Sequence, residues 1–169
     1  TGSTGIKTAG DITTTNDNVT FKSATTLTGG IVINTDTGFG TVAFNSTLDS
    51  DADGSGNTNA RTLEITAGTG NIDFDAAVGN TKTLGAVTVN SVATLDTDNV
   101  FKAASFTQGA GSVLTQFDGA VTLSGAFDFT GTALTFNAAS NTVGGTMDVT
   151  NSGVFTTADN ADIEVTGQF

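Results

Sequence analysis

Apolar residues recur along the chain in pairs separated by a single position that is most often polar. Eleven such pairs span most of its length: Val19/Phe21, Ile31/Ile33, Val42/Phe44, Leu63/Ile65, Ile72/Phe74, Val87/Val89, Val121/Leu123, Phe127/Phe129, Leu134/Phe136, Met147/Val149 and Ile163/Val165. This period of two places both apolar side chains on one side of an extended strand and the residue between them on the other. The pattern predicts many short, half-buried strands.

Turn signals separate the pairs. They are glycine-containing dipeptides and tripeptides at Gly29-Gly30, Thr37-Gly38, Thr69-Gly70, Gly109-Ala-Gly111, Asp118-Gly119, Thr130-Gly131, Gly144-Gly145 and Ser152-Gly153. Breaks roughly every 7 to 15 residues fit either a β-sandwich or a stack of short strands. Between Val92 and Phe117 the alternation is poorer, so the strands there are harder to place.

An internal repeat favours the stack. The segment 40–49 matches the segment 70–79, with Val42 aligned to Ile72 and Phe44 to Phe74. Repeated strand modules are typical of solenoids, in which each winding of the chain lies on the one before. We therefore expect an all-β parallel β-helix of roughly six to eight coils with about 20 to 30 residues per coil. It forms one domain over 1–169, with an Asp/Gly/Asn-rich inserted loop at about 49–60.

The composition narrows the function classes. Among 169 residues there are 17 acids and 5 bases, a net charge of −12 that opposes binding to nucleic acids or anionic membranes. The chain has no His, Cys, Trp or Tyr, so the usual general bases, thiol nucleophiles and sugar-stacking rings of an enzyme are missing. Its 12 Phe suit an interior that offers no partner to a phenol or indole group. We expect a protein that is not an enzyme and does not insert into a membrane.

One stretch has the spacing of a cation site. Asp49, Asp51 and Asp53 alternate before Gly54, as in the first half of a calcium loop, and Asn57 could add an amide oxygen. The second half does not fit, because Ala60 stands where an EF-hand has its bidentate Glu. The sequence thus leaves open a calcium site at Asp49, Asp51, Asp53 and Asn57, or a solvated loop between coils.

Two other stretches place paired carboxylates on one strand side. Asp73 and Asp75 flank Phe74, and Asp96 and Asp98 flank Thr97. In a stacked solenoid such pairs could share a divalent ion with the next coil, but a solvated strand exterior is the favoured interpretation. Thr-x-Thr spacings raise an ice-binding alternative, although their intervals are not constant and strand propensity explains them better.

The run from Gly40 to Val89 resembles the β-strand-repeat segments of very large bacterial surface proteins related to filamentous haemagglutinin. The resemblance lies in the stretches 42–51, 60–70, 71–81 and 84–89 and in a looser echo at 119–125. It implies a right-handed parallel β-helix, a location outside the cell or on the bacterial surface, and a role in adhesion or fibre formation.

These observations predict a structural protein, either a subunit or one stretch of a surface fibre or adhesin stalk. The terminal regions show no amphipathic helix that would cover the last coil, and exposed strand edges pair readily with further strands. We therefore expect end-to-end stacking into a filament or continuation of a longer solenoid. The alternative is a module that binds carbohydrate or a host surface; a polysaccharide-degrading β-helix is less favoured.

Overall fold

The fold is built entirely from short β-strands. The computed structural model describes residues 5–52 and 60–169, and within these ranges it contains no helix. The strands are β1 (Ile6–Thr8), β2 (Ile12–Thr13), β3 (Val19–Phe21), β4 (Thr25–Leu27), β5 (Ile31–Asn34), β6 (Val42–Phe44), β7 (Leu48–Ser50), β8 (Leu63–Thr66), β9 (Ile72–Phe74), β10 (Leu84–Thr97), β11 (Phe101–Gln108), β12 (Gly111–Phe117), β13 (Val121–Leu123), β14 (Phe127–Gly131), β15 (Ala133–Phe136), β16 (Ser140–Val143), β17 (Met147–Asn151), β18 (Phe155–Thr157) and β19 (Asp162–Val165).

The strands stack into three parallel ladders, so the predicted parallel β-helix is confirmed, with about seven turns. The first ladder contains β1, β4, β7, Val78, the start of β11, β13, β16 and β19. The second contains β2, β5, β8, the first half of β10, the end of β11, β14 and β17. The third contains β3, β6, β9, the second half of β10, β12, β15 and β18.

The internal repeat read from the sequence is a stacking register. Val42 pairs with Ile72 and Phe44 with Phe74 where β6 lies against β9. Further along the same two coils, Leu48 forms a parallel bridge to Val78. The self-match is therefore the signature of two adjacent windings, as predicted.

The interior is a column of apolar side chains along the axis. The paired apolar residues point inward, and they are buried in every coil except the first and last. In the third ladder Phe21, Phe44 and Phe74 lie face to face, with ring centroids 4.5 and 5.3 Å apart and interplanar angles of 2° and 10°. Each buried large apolar side chain contributes about 1.5 to 3 kcal/mol to folding, so this column is the main source of stability.

The aromatic column moves sideways in the middle of the molecule. Thr97 occupies the position above Phe74, where a further Phe would continue the stack. The ring of Phe101, which enters from the first ladder, lies 6.2 Å from Phe74 and 5.6 Å from Phe117. Phe101 thus fills the space beside the smaller threonine and reconnects the two parts of the column.

The poor alternation between Val92 and Phe117 has a structural cause. β10 runs for 14 residues and joins the second ladder to the third without a turn. Its register shifts between Val89 and Ser91 against β8, and between Val92 and Thr94 against β12. Such irregularities bend a strand and change which side its residues face. A strict period of two therefore fails in this stretch.

Side chains at the corners satisfy backbone groups of the neighbouring coil. The hydroxyl of Thr28 donates to the Thr8 carbonyl (3.3 Å), and that of Thr166 donates to the Gly144 carbonyl (2.6 Å). In the opposite direction, the Asn18 side-chain oxygen accepts from the Thr41 N–H (2.8 Å). Buried or half-buried backbone groups need such partners where strand pairing stops. This requirement gives a second reason, besides strand propensity, for the many Thr residues, and it gives a reason for Asn at the corners.

One corner requires glycine. Gly79 has a φ of 66°, in the left-handed region that L side chains rarely adopt. A Cβ at this position would also collide with the carbonyl oxygen of Lys102 in the next coil. The turn after Val78 therefore depends on a residue without a side chain.

Candidate functional site

The first candidate site is the predicted calcium loop, and the structure describes two of its four proposed ligands. Asp49 lies in β7, and its Oδ1 accepts hydrogen bonds from the backbone N–H groups of Thr81 (2.8 Å) and Lys82 (3.1 Å). Asp51 follows β7 and pairs with Arg61, whose Nε lies 2.6 Å from Oδ1. Asp53 and Asn57 lie outside the described residues. The calcium site at Asp49, Asp51, Asp53 and Asn57 stays a prediction.

The pairing with Arg61 changes the chemistry of this loop. Its hydrogen bond to the Asp51 carboxylate holds the pKa of that carboxyl below its ordinary value of 3.8. The guanidinium also neutralises a charge that a cation would otherwise balance. Asp49 is already oriented by two backbone donors. Both described carboxylates therefore have protein partners, and a cation here would compete with Arg61 for Asp51.

The second candidate site is a carboxylate cluster on the outer side of the third ladder. Asp73 of β9 pairs in register with Asp96 of β10, so their side chains are neighbours in successive coils. Asp98 and Asp118 follow the inward residues Thr97 and Phe117, and each extends the ladder by one backbone hydrogen bond. Carboxylate oxygens of Asp96, Asp98 and Asp118 all lie within 4.8 Å of one another. We call Asp96, Asp98 and Asp118 the carboxylate cluster.

The cluster has unbalanced negative charge. Burial raises the pKa of Asp96, and the nearby Asp118 and Asp98 carboxylates raise it further. Burial likewise raises the pKa of Asp73, with Asp75, Asp96 and Asp98 adding to the effect. Asp96 is half-buried, and its Oδ1 is sealed from solvent without a hydrogen-bond partner. An unpartnered buried oxygen of this kind disfavours the ionised, metal-free state.

Two neutral side chains hold part of the cluster in place. Oδ1 of Asp118 accepts from Gln116 Nε2 (2.9 Å) and from Asn137 Nδ2 (2.6 Å). These amides orient the carboxylate without cancelling its charge. Carboxylate and amide oxygens are the ligands that calcium prefers, and three converging carboxylates can supply half of its usual six to eight. The arrangement can therefore hold either a hard divalent cation or a shared proton.

Sequence reasoning identified only part of this cluster. It placed Asp96 and Asp98 on one strand side and considered an ion shared between coils, but it did not join Asp118 to them. The hydrogen bond between Asn137 and Asp118 spans 19 residues, whereas the repeat seen in the sequence has an interval of thirty. To place Asp118 beside Asp96 and Asp98, one would have to know that the coils of this region are shorter. No local motif indicates that coil length.

The two ends of the coil stack form a third feature. The partly exposed apolar residues that pack against the core all belong to the first and last coils: Ile6, Ile12, Val19, Val149, Phe155, Ile163 and Val165. Among the described strands, β1, β2 and β3 pair on one side only, as do β17, β18 and β19. Within the described residues, the first and last coils therefore leave apolar side chains and most strand-edge hydrogen-bonding groups without a neighbouring coil, although the Met147 N–H already donates to the Gln168 carbonyl (2.8 Å).

A surface pocket at the first ladder is relevant to the alternative that the protein binds carbohydrate. Its volume is about 250 Å³, and it is lined by Thr83, Lys102, Ala103, Thr122, Leu123 and Ser124. Lys102 Nζ donates to Asn80 Oδ1 at 2.9 Å. The lining holds hydroxyl groups and one ammonium group but no aromatic ring, so it lacks the stacking surface common in sugar sites.

The comparisons with known proteins give no relative. No family model, no curated protein and no solved structure matches the chain. Over residues 5–52 and 60–169, no helix is long and apolar enough to cross a membrane.

Proposed function

We propose that this protein is a structural β-solenoid, either a subunit or one stretch of an extracellular bacterial fibre or adhesin stalk, extended by end-to-end stacking of coils. The observation that carries the proposal is the pair of open ends. Three core-lining residues are partly exposed in the first coil and four in the last. The likeness of 40–89 to bacterial surface repeats supports the cellular location.

The energetics are compatible with end-to-end stacking. Fully burying one Ile, Val or Phe contributes about 1.5 to 3 kcal/mol, and the seven end residues would each gain part of that amount. Association costs on the order of 4 to 15 kcal/mol in lost rigid-body freedom and ordering. The apolar gain is of the same order as this cost. Strand-edge hydrogen bonds then fix the direction of stacking, and a contact that does not close on itself produces a filament.

Electron microscopy and sedimentation of the purified chain test the proposal. We expect rods or fibres whose length grows with protein concentration. Ile163→Lys, which puts a charge into the open column of β19, should reduce assembly at least tenfold without loss of the β-sheet circular dichroism signal. Thr142→Lys, on the outer side of β16, is the matched control and should assemble normally. Dispersed monomers at every concentration would refute the proposed end-to-end stacking.

The carboxylate cluster supports a second proposal, that calcium stabilises the solenoid. The specific observation is the buried, unpartnered Oδ1 of Asp96 within reach of Asp98 and Asp118. A bound cation would balance three mutually repelling charges and join adjacent coils. Asp51 already has Arg61 as its partner, so we place the calcium-dependent effect at the cluster rather than at the 49–60 loop.

Thermal melting with calcium, with magnesium and with chelator tests the second proposal. We expect calcium to raise the midpoint of the wild type and Asp96→Asn to remove most of that rise. Asp51→Asn is the comparison variant and should keep it. Loss of the response in Asp51→Asn alone would move the site to the loop, and an unchanged wild-type midpoint would refute calcium binding altogether.

A further inference from the structure

We draw no further inference here: the strongest candidate, the carboxylate cluster of Asp96, Asp98 and Asp118 on the outer side of the third ladder, belongs to the site already described.

Discussion

The coils before Thr97 and the coils after it differ in the number of residues that separate one winding from the next. In the N-terminal coils, side-chain hydrogen bonds between windings join residues 20 to 33 positions apart. In the C-terminal coils the corresponding separations are 19 to 23. Both regions nevertheless continue the same three ladders. The corners therefore accommodate the differences in coil length, and the inward-facing residues of the strands decide whether windings stack.

The interiors of the two regions differ less than their coil lengths do. The N-terminal coils, which are irregular in length, contain the parallel-stacked rings of Phe21, Phe44 and Phe74. The C-terminal coils, which are regular in length, bury Gln108 together with Thr115, whose side chains share a 2.8 Å hydrogen bond, and also bury Asn141. The N-terminal coils bury Thr25, Thr35 and Ser50 as well, so neither region has a uniform apolar core. Irregular coil length is therefore compatible with the same mixture of stacked rings and buried polar groups that the regular coils contain.

The largest effect should come from cutting the aromatic column. Phe74→Ala removes a ring that is 1% exposed and contacts Phe44 and Phe101, and we expect a loss of about 3 to 5 kcal/mol in the free energy of unfolding. Phe155→Ala, at the partly exposed C-terminal end of the same ladder, should cost clearly less. Urea denaturation measures both, and equal losses would show that position along the column is irrelevant.

A somewhat smaller effect should come from Asn141 in the C-terminal coils. Its Oδ1 accepts from the Val121 N–H (3.1 Å), and its Nδ2 donates to the carbonyls of Ala138 (3.1 Å) and Asp162 (3.3 Å). Asn141→Ala leaves the buried Val121 N–H and two part-buried carbonyls without this partner, which costs about 2 to 3 kcal/mol. The exposed Asn45→Ala serves as control and should change the unfolding free energy little. A loss in unfolding free energy no larger than that of the control would mean that water replaces the amide.

Sequence alone predicted the ladders where the alternation is strict. The pairing of Phe44 with Phe74 follows from period two and from the self-match, because both depend only on local spacing. The burial of Gln108, Thr115 and Asn141 was not predicted, since polar residues inside a strand ordinarily mark its outer side. Their inward direction follows the period of two from a buried neighbour in the same strand, and their hydrogen-bond partners lie one corner or one coil away.

The two candidate sites could likewise be predicted from the sequence only in part. The sequence identified Asp49 and Asp51 by their spacing, but not the ion pair that ties Asp51 to Arg61 across the inserted loop. It also identified Asp96 and Asp98 on one strand. Asp118 belongs to a different coil, so its proximity depends on the length of the winding between them. Local motifs reveal carboxylates on one strand, and only the coil register brings carboxylates from successive strands together.

Two buried threonines, one at the boundary and one after it, allow the same substitution to be compared. Thr97 Oγ1 has no hydrogen-bond partner, whereas Thr115 Oγ1 donates to Gln108 Oε1. Thr97→Val removes an unpaired hydroxyl without changing volume and should stabilise the fold by about 1 kcal/mol. Thr115→Val should destabilise it by about the same amount, because it leaves Gln108 without its donor. Chemical denaturation of both variants measures the difference, and shifts of the same sign would contradict this account.

The smallest expected effect is a pH dependence that belongs to the boundary itself. Burial and neighbouring carboxylates raise the pKa values of Asp73 and Asp96 above their ordinary value of 3.8, so the folded chain binds these protons more tightly than the unfolded chain does. The resulting penalty is fully present above the folded pKa values and is lost as the pH falls from them toward 3.8. In chelator, these two groups should therefore make the wild type more stable as the pH is lowered through that window.

Asp51 acts in the opposite direction because Arg61 lowers its pKa, so the informative quantity is the difference in unfolding free energy between the wild type and a variant. Asp96→Asn should gain stability relative to the wild type at pH 7 and lose that advantage below the window. A parallel pH profile for Asp96→Asn and the wild type would mean that the stacked carboxylates do not repel one another enough to affect folding.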